Sequence, residues 1–421
     1  MFKDNVMGII LAGGAGKRLE ELTSDVRAQP AVPFGGKYRI IDFILSSFFN
    51  SQIKKLYVLI QHKSLSLVDH IKINWSNRFG SKDEYIRVTG PMPPTWQKGT
   101  ADSVYQNLSR IKMENPDYVA VFGGDHVCNM NIGDMIDFHK KHKADLTICA
   151  MKLPVKEAKD KFGILDFDKN KVMTFFEEKT KSPKVAEGEK DHTWVSLGHY
   201  IFNKDLLIET LEKDAEIPDD KSKHDFGHDI IPMIFKQKKA KICVYDISQC
   251  KYAYRYGIDS IDKYYEASMD FISKSELLFD SKLPIYSINT DNLPPARFLK
   301  HEKEETEVEN SIITDGCLLK GCEIEESILF PMVFVEFKSK VKKSILFNDV
   351  KIGKNCFIEN AIIDKRVAVP DGTVIKDGKI EFPKSKSKAV DLFKSIAEKA
   401  FVTESKIVVI PCYHDYRDKN S

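Results

Sequence analysis

The sequence predicts an α/β domain with a mainly parallel, mixed sheet, followed by a parallel β-helix. Between residue 6 and about residue 270, short apolar runs alternate with longer segments of helical length. From residue 308 onward, apolar residues recur at every sixth position. Apolar strands that alternate with helices are typical of a sheet covered on both faces, and a hexad repeat is typical of β-helix coils.

Four apolar runs are the predicted strands of the first domain, and two mixed segments are predicted helices. The strands are Val6–Ala12, Leu56–Ile60, Tyr118–Phe122 and Leu146–Ala150, and the helices are Ile40–Ser51 and Ala101–Met113. Ligands of such sheets bind outside the carboxyl ends of the strands. We therefore expect the loops after Ala12 and Phe122 to carry the site.

The β-helix prediction rests on a repeat near the C-terminus. Similar tripeptides recur at spacings of 16, 17 and 17 residues, at Ser311–Ile313, Ser327–Leu329, Ser344–Leu346 and Ala361–Ile363. Apolar residues stand six apart within the coils: Leu329, Val335, Val341; Leu346, Ile352, Ile358; Ile363, Val369, Ile375. A β-sandwich with accidental spacing is the alternative, but four successive coils in one register argue against it.

The change of pattern sets the expected domain boundaries. We expect a first domain at residues 1–280, a linker at 281–307, and the β-helix with a C-terminal tail at 308–421. A Lys-rich polar run begins at Pro383. It is most simply a solvated connector to a short helix and a terminal strand within residues 391–411.

The composition excludes several classes of protein. With 42% hydrophobic and 30% charged residues, the 421-residue chain is expected to be globular. Lys plus Arg number 64 and Asp plus Glu number 62, so no global field would gather nucleic acid or an anionic membrane. The run Val6–Ala12 is too short to span a bilayer and lacks a signal-peptide cleavage site. The eight cysteines form no CxxC pair, so we expect reduced thiols in a cytoplasmic protein.

The first predicted strand runs into a glycine-rich loop followed by a cation. Gly13, Gly14 and Gly16 let backbone amides approach a phosphate, and Arg18 adds a fixed charge. The loop lacks the Ser or Thr of a P-loop, and Leu19 stands where a dinucleotide-binding loop has its third glycine. A plain glycine turn is the alternative, but the position after the first strand favours an anion site.

Carboxylates after apolar runs are further candidates. Asp125 follows a predicted strand, where a carboxylate is placed to hold Mg²⁺; capping of the next helix is the alternative. Glu178 and Lys179 end another apolar run, where they could bind the hydroxyls and the phosphate of a phosphorylated sugar. Surface Glu–Lys pairs are mostly solvated, so this signal alone is weak.

Several of these segments resemble one enzyme family. Leu11–Leu19 is similar to the nucleotide-binding signature of sugar-phosphate nucleotidylyltransferases, and Pro33–Phe43 resembles the narrower signature of glucose-1-phosphate adenylyltransferase. Further matches follow in order at Gly99–Ser103, Gly124–His126, Glu178–Lys179, His224–Gly227 and Leu293–Phe298. The resemblance covers residues 6 to about 411. It implies a Rossmann-like nucleotidyltransferase domain before a left-handed parallel β-helix.

The resemblance also implies an activity. ATP and α-D-glucose 1-phosphate would give ADP-glucose and pyrophosphate for glycogen biosynthesis, with Mg²⁺ as the cofactor. Family members are usually tetramers that are regulated by phosphorylated metabolites. The expected partners are therefore the two substrates, an allosteric sugar phosphate or nucleotide, and either further copies of the chain or a paralogue. Neither nucleic acid nor a membrane is expected as a partner.

By the same resemblance, Arg18 neutralises the leaving pyrophosphate and Asp125 ligates Mg²⁺, so these two residues are the catalytic candidates. The implied nucleotide-binding residues are Leu11, Gly13, Gly14, Gly16, Arg18, Gln61, Gly99, Thr100 and Ala101. The residues implied to hold glucose 1-phosphate are Gly163, Glu178, Lys179 and Ser196.

Four positions depart from the family pattern. Gln29 replaces a lysine near the triphosphate, and Val26 replaces a basic residue tied to activator binding. Gln97 takes the substrate-binding position of a tyrosine that touches the sugar phosphate. Gly257 stands where the family has its second Mg²⁺ carboxylate, and Asp259 follows as a displaced candidate ligand. In an extended stretch two residues span roughly 6–7 Å, so ligation by Asp259 requires an altered backbone.

These departures leave two principal hypotheses. The retained site residues favour an active or weakly active enzyme, whereas Gln29, Gln97 and Gly257 favour impaired activity or a non-catalytic regulatory subunit that partners an active paralogue. A transferase that uses another nucleoside triphosphate disagrees with the motifs Phe34–Arg39 and His224–Gly227. An acyltransferase in the β-helix is rejected, because no histidine lies between residues 302 and 413 to act as the general base.

Overall fold

The computed structural model describes residues 5–23, 27–79, 84–91, 96–250, 254–274, 282–287, 292–385 and 387–412. The chain divides into two compact units. The first comprises Met1–Ala15, Phe43–Arg255 and Lys282–Ile285, and the second Gly16–Asp42, Tyr256–Ser281 and Tyr286–Ser421. The expected boundaries at residues 280 and 308 stay predictions. Within the described residues, no helix has the length and apolarity needed to cross a membrane.

A mixed sheet forms the centre of the first unit. Seven of its strands lie in the order Met173–Glu178, Gly163–Phe167, His192–Asn203, Tyr118–Gly123, Val6–Leu11, Lys55–Leu59 and Tyr85–Thr89. Leu146–Pro154 pairs with His192–Asn203, and Ile242–Asp246 pairs with Leu146–Pro154. All four predicted strands are present, the last of them extended to Pro154, which confirms the α/β prediction.

The strand Val6–Leu11 determines where the site lies in the first unit. It runs parallel to both neighbours, and Leu11 is in register with Leu59 on one side and Gly123 on the other. Met7, Ile9 and Ile10 are fully buried. The loops that follow these three parallel strands therefore leave the same edge of the sheet.

Helices cover this sheet. They are Ile40–Asn50, Leu65–Asn74, Thr100–Tyr105, Leu108–Glu114, Ile132–Lys141, Val155–Ala158, Lys204–Ala215 and Ile231–Gln237, the last preceded by a π-helical turn at Phe226–Ile230. Short elements complete the unit at Ser76–Arg78, Val127–Asn129 and Ile247–Gln249, and the strand Tyr254–Tyr256 leads out of it.

The single helix predicted at Ala101–Met113 is wrong, because two helices occupy that stretch. The chain turns at Asn107, whose side-chain amide donates a 3.0 Å hydrogen bond to the carbonyl oxygen of Ser103. That carbonyl is the acceptor that a continuous helix would offer to the Asn107 backbone amide, which bonds to Val104 instead. Competition of an Asn side chain for backbone groups interrupts helices in this way.

The second unit opens with the segment Gly16–Asp42. Its elements are the short helices Lys17–Leu19, Glu20–Thr23 and Gln29–Ala31 and the hairpin strands Pro33–Phe34 and Tyr38–Arg39. The segment packs on the helix Ile261–Ser273. The ring of Phe34 meets the rings of Tyr264 and Phe271 edge to face at 5.9 and 5.2 Å. The Tyr264 hydroxyl also donates to the Pro33 carbonyl oxygen at 2.5 Å.

The β-helix makes up most of the second unit, and its strands stack into three sheets. The first contains Arg297–Leu299, Leu318–Lys320, Phe334–Val335, Lys351–Ile352 and Ala368–Val369. The second contains Glu307–Glu309, Glu323–Glu325, Lys340–Lys342, Phe357–Glu359, Val374–Lys376 and Lys379–Glu381. The third contains Ile312–Ile313, Ile328–Leu329, Ile345–Leu346, Ala361–Ile363, Val408–Ile410 and Phe401–Val402. Every predicted hexad residue is at most 3% exposed, which confirms the repeat.

The C-terminal helix and strand predicted within residues 391–411 are also present. The helix Lys388–Ala397 buries Val390, Phe393 and Ile396, and the last two of these join the apolar core of the coils. The strand Val408–Ile410 pairs in parallel with Ala361–Ile363. Repeat proteins need such terminal elements, because the last coil would otherwise expose its apolar core.

Candidate functional site

Gly13 lies against a pair of glutamines in the first unit. A Cβ atom on Gly13 would be 3.2 Å from Cβ of Gln61 and 3.4 Å from Oε1 of Gln97. The Gln97 backbone amide donates to Oε1 of Gln61 at 2.8 Å, and Nε2 of Gln61 donates to the Gln97 carbonyl oxygen at 3.2 Å. Nε2 of Gln97 is buried without a hydrogen-bond partner among the described residues. The structure therefore brings together three residues of the predicted site, Gly13, Gln61 and Gln97. Nε2 of Gln97 remains available as a hydrogen-bond donor.

The loop at Gly99 is held against another backbone segment. A Cβ atom on Gly99 would be 2.3 Å from the carbonyl oxygens of Lys223 and His224, so only glycine fits there. The backbone amide of Ala101 donates to the His224 carbonyl oxygen at 2.8 Å. Thr100 begins the helix Thr100–Tyr105. The predicted nucleotide-binding residues Gly99, Thr100 and Ala101 thus form one compact loop.

Asp125 lies beside the end of the first strand. The backbone amide of Gly124 donates to the Leu11 carbonyl oxygen at 2.9 Å. The Asp125 side chain is 35% exposed, with Oδ1 3.4 Å from Nε2 of His126. The predicted metal carboxylate therefore leaves the sheet next to the glycine-rich loop and is open to solvent.

The Glu178 carboxylate is enclosed by two glycines. Gly163 and Glu178 are opposite each other on antiparallel strands. A Cβ atom would be 2.5 Å from Oε2 of Glu178 if placed on Gly163, and 2.6 Å if placed on Gly227. Both glycines are needed, because any larger residue would displace the carboxylate.

The Glu178 carboxylate has a strongly raised pKa. Burial raises its pKa to about 7, a shift that the positive charge of Lys179 opposes and the negative charge of Asp225 reinforces. Lys179 adopts a positive φ of 49°, and its backbone amide donates to the Phe162 carbonyl oxygen at 3.1 Å. Perturbed carboxylates of this kind occur preferentially at functional sites.

Ser196 is linked to this carboxylate through Tyr200. The Ser196 hydroxyl hydrogen-bonds the Tyr200 side chain, which in turn faces the charges of Asp225 and Glu178. Burial is the main reason that the pKa of Tyr200 lies above its ordinary value. The four predicted sugar-phosphate residues at 163, 178, 179 and 196 therefore form one neighbourhood of the first unit.

Gly16 and Arg18 belong to the second unit. Gly16 has a φ of 73°, a conformation that favours glycine, and its carbonyl oxygen accepts a 3.0 Å hydrogen bond from the Thr23 hydroxyl. Arg18 is exposed on the helical turn Lys17–Leu19. An exposed arginine at this position is accessible to an anionic ligand.

Two departures from the family pattern meet in the second unit. Gln29 is 4% exposed, and its Nε2 donates to the Ile258 carbonyl oxygen at 3.1 Å. Ile258 lies between Gly257 and Asp259 in the sequence. The glutamine that replaces a lysine therefore bonds to the backbone where a carboxylate is missing. Val26, another position that departs from the family pattern, lies outside the described residues.

A group of cations lies near one buried carboxylate of the second unit. Nη2 of Arg27 donates to both oxygens of Asp364, at 2.9 and 2.8 Å, and both side chains are at most 3% exposed. Burial and the positive charges of Arg39 and Arg27 lower the pKa of Lys365 to about 7. Nη1 of Arg27 is buried without a hydrogen-bond partner among the described residues. The sequence analysis did not identify this group.

The donor set was compared with the needs of a divalent metal, which nucleotidyltransferases generally use. Over the part of the chain that the structure describes, no three His, Cys, Asp or Glu side chains form a metal-binding group. Asp125 offers one partly exposed carboxylate in the first unit, and Asp259 belongs to the second. Mg²⁺ is commonly bound by one or two carboxylates together with waters and substrate phosphates, so the single carboxylate of Asp125 fits it.

Sequence reasoning missed two residues of the first unit, Asp225 and Tyr200. Oδ2 of Asp225 accepts a 2.7 Å hydrogen bond from the Thr100 hydroxyl, and Oδ1 accepts from the backbone amides of Gly227 and His228. Asp225 lies within the motif His224–Gly227, which was the available signal. Tyr200 carried no signal, because its position depends on strand pairing.

Comparison with known proteins identifies first the class of protein and then the family. Residues 7–273 match the nucleotidyl transferase family, and residues 294–381 match the family described as GlmU-like, C-terminal hexapeptide. The second match agrees with a left-handed parallel β-helix. The fold is therefore a nucleotidyltransferase domain followed by hexapeptide coils, as expected.

Relatives narrow this assignment. The chain is 41% identical to the glucose-1-phosphate adenylyltransferase of Photobacterium profundum over 394 residues, which are 90% of this chain and 95% of the relative. It is 40% identical to the enzyme of the same name from Nitrosococcus oceani over 88% of each chain. For that of Anaeromyxobacter sp. the identity is 38%, over 96% of this chain and 98% of the relative. The chain belongs to the glucose-1-phosphate adenylyltransferase family of nucleotidyltransferases.

Proposed function

We propose that this chain catalyses the reaction of ATP with α-D-glucose 1-phosphate to give ADP-glucose and pyrophosphate. The observation that carries the proposal is the hydrogen bond between Thr100 and Asp225, 2.7 Å long. It links the loop proposed to contact adenine to the segment beside Glu178, the carboxylate proposed to bind the sugar. The names of the three relatives support the same reaction and give the regulatory-subunit alternative no support.

The proposed chemistry is an in-line displacement. A phosphate oxygen of glucose 1-phosphate forms a bond to the α-phosphorus of ATP, and the bond from that phosphorus to the bridging oxygen breaks. Pyrophosphate leaves with the electron pair. The protein contributes positioning and charge stabilisation, since such transfers need little covalent chemistry from side chains.

Each site residue has a proposed role in that reaction. Leu11, Gly13, Gly14 and Gly16 present backbone to the triphosphate, and Arg18 neutralises charge on the leaving pyrophosphate. Gln61 and the loop at residues 99–101 surround adenine. Glucose 1-phosphate is bound at Gly163, Glu178, Lys179 and Ser196, and the unpartnered amide of Gln97 supports a contact with its phosphate. Asp125 would hold Mg²⁺, which would neutralise charge on the phosphates when bound; Asp259 stays a predicted second ligand.

We also infer that the chain responds to an anionic effector such as a sugar phosphate or nucleotide. The cluster of Arg27, Arg39 and Lys365 supports this, because the positive charges of Arg39 and Arg27 are close enough to Lys365 to lower its pKa. Assembly into a homotetramer, or with a paralogue, stays an expectation. The proposed compartment is the cytoplasm, which agrees with the lack of a disulfide at the eight cysteines, all of which are described residues.

Pyrophosphate release by the purified chain tests the reaction. We expect turnover of order 1 s⁻¹ or more with ATP, glucose 1-phosphate and Mg²⁺. Asp125→Ala should abolish it, whereas Asp191→Ala, which removes an exposed carboxylate paired with His192, should not. Turnover equal to that of Asp125→Ala, from folded wild-type chain, would overturn the proposal.

A further inference from the structure

His224 is a buried histidine placed between two carboxylates. It is 3% exposed, with Nδ1 2.8 Å from Oδ2 of Asp214 and Nε2 3.3 Å from Oδ1 of Asp219. Asp214 is 2% exposed, and its other oxygen accepts a 2.7 Å hydrogen bond from the Ser222 hydroxyl. Because a carboxylate only accepts hydrogen bonds, both ring nitrogens must carry protons to donate to these two partners. With both carboxylates ionised, this geometry favours the imidazolium cation.

The backbone of His224 has a strained conformation, and its carbonyl oxygen accepts hydrogen bonds from the loop at residues 99–102. Its φ is 51°, a conformation that non-glycine residues rarely adopt. The carbonyl oxygen accepts hydrogen bonds from the amides of Ala101 and Asp102, at 2.8 and 3.2 Å. No side chain caps the helix Thr100–Tyr105. The His224 carbonyl thus satisfies two helix-start amides that would otherwise lack acceptors.

Asp225 and Gly227, which follow His224 in the chain, connect the nucleotide loop at residues 99–101 to the proposed sugar-binding residue Glu178. Asp225 accepts from the Thr100 hydroxyl and from the backbone amide of Gly227, at 2.7 and 2.9 Å. Gly227 lies so close to Glu178 that a Cβ atom on it would be 2.6 Å from the carboxylate. The turn from residue 222 to residue 227 therefore touches both proposed substrate positions.

We infer that His224 is a positioning residue, whose side chain, fixed by Asp214, holds the turn that sets the distance between the nucleotide loop at residues 99–101 and Glu178. The inference rests on the proposed function, since these are the two substrate positions of that reaction. His224 contacts neither substrate. It acts because an in-line transfer loses rate steeply when the two reactants are misplaced.

The charge of His224 gives the inference a pH signature. Burial disfavours the cation, but hydrogen bonds to Asp214 and Asp219 outweigh it, and the pKa of His224 lies above its ordinary value. Lys98, which pairs with Asp219 at 2.6 Å, also faces the ring and opposes the shift, and Asp229 accepts from the neighbouring backbone amides. The cation is present below the raised pKa and is lost as the pH rises through it.

The test compares two replacements of His224 in the full chain. His224→Ala should lower kcat/KM for both substrates by about 10- to 100-fold. His224→Asn suits the left-handed backbone and can donate to Asp214 from its side-chain amide, so it should recover activity to within about threefold at neutral pH. Wild-type kcat/KM should fall as the pH rises, and His224→Asn should lack that fall. His192→Asn, which removes an exposed His–Asp pair in the same unit, is the control.

Calorimetric titration with ATP, in the absence of turnover, separates this inference from the proposed function. Weaker ATP binding by His224→Ala than by His224→Asn supports the inference even if the wild type is inactive, in which case the reaction alone fails. The inference is overturned if His224→Ala acts on one substrate only, or if His224→Asn is as impaired as His224→Ala. If His224→Ala does not fold, the inference is overturned when kcat/KM of His224→Asn falls at alkaline pH as it does in the wild type.

Discussion

The side chain of Gln29 donates a 3.1 Å hydrogen bond to the carbonyl oxygen of Ile258. One partner stands where the family pattern has a lysine, and the other adjoins Gly257, where that pattern has a metal-binding carboxylate. The two departures are therefore neighbours in the fold. At the position of that lysine stands an amide whose donor bonds to the local backbone.

This relationship predicts that the two family residues must be restored together. Gln29→Lys alone should lower the free energy of unfolding by up to about 3 kcal/mol, because it buries a cation without a partner. Gly257→Asp should recover much of that loss in the double variant and raise turnover. Urea unfolding and pyrophosphate release measure the two effects in a double-mutant cycle. Additive effects would show that the positions are independent.

The raised pKa of Glu178 predicts that the affinity for glucose 1-phosphate falls at acidic pH, which gives an acid limb in the pH profile. That pKa is raised to about 7, so the carboxylate proposed to accept hydrogen bonds from sugar hydroxyls is lost as the pH falls below that value. KM for glucose 1-phosphate should rise there, while KM for ATP should change less. Glu178→Gln should bind the sugar phosphate more weakly at pH 8 and lose this limb. A limb that persists in the variant would assign it to another group.

The same raised pKa predicts a gain in stability when the charge is removed. The buried acid stabilises the fold in its neutral form, and that contribution is lost as the pH rises through the folded pKa of about 7. Glu178→Gln should therefore raise the free energy of unfolding at pH 8 by roughly 2 kcal/mol. Urea unfolding at pH 5.5 and pH 8, each about 1.5 units or less from that pKa, should show a smaller gain at the lower pH.

Gly227 predicts a substrate-selective defect. A Cβ atom there would be 2.6 Å from the Glu178 carboxylate, which is the far end of a flexible side chain and can move. Gly227→Ala should raise KM for glucose 1-phosphate by about tenfold, equal to some 1.4 kcal/mol, with little change in melting temperature. Gly90→Ala is a matched control, because nothing lies within 4 Å of its added atom. Equal defects in the two variants would exclude the steric mechanism.

The pair Arg27–Asp364 predicts a large stability effect in the second unit. Both side chains are at most 3% exposed, so Arg27→Met leaves a buried carboxylate without its partner. The expected loss is about 3–5 kcal/mol. Asp364→Leu added to Arg27→Met should recover most of it, which urea unfolding would detect. A loss below about 1 kcal/mol would mean that water or another cation replaces the arginine.

Local sequence patterns predict the architecture of the chain, but they do not predict which distant residues meet at the site. The hexad repeat and the continuous apolar run Val6–Leu11 are local sequence patterns, so sequence alone predicted that these residues are buried. The break at Asn107 depends on one side chain outcompeting a backbone amide, which periodicity does not register. The proximity of Gln29 to Ile258, 229 residues apart, exists only once the second unit has folded.

The ion pair of Arg27 with Asp364 joins residues 337 positions apart in the sequence. At synthesis rates of about 5–20 residues per second, roughly 15–70 s separate their emergence from the ribosome. During that interval the segment Gly16–Asp42 has no coils to pack against. The second unit therefore completes its folding only after Asp364 has been made, and until then Arg27 lacks the carboxylate that it pairs with in the folded chain.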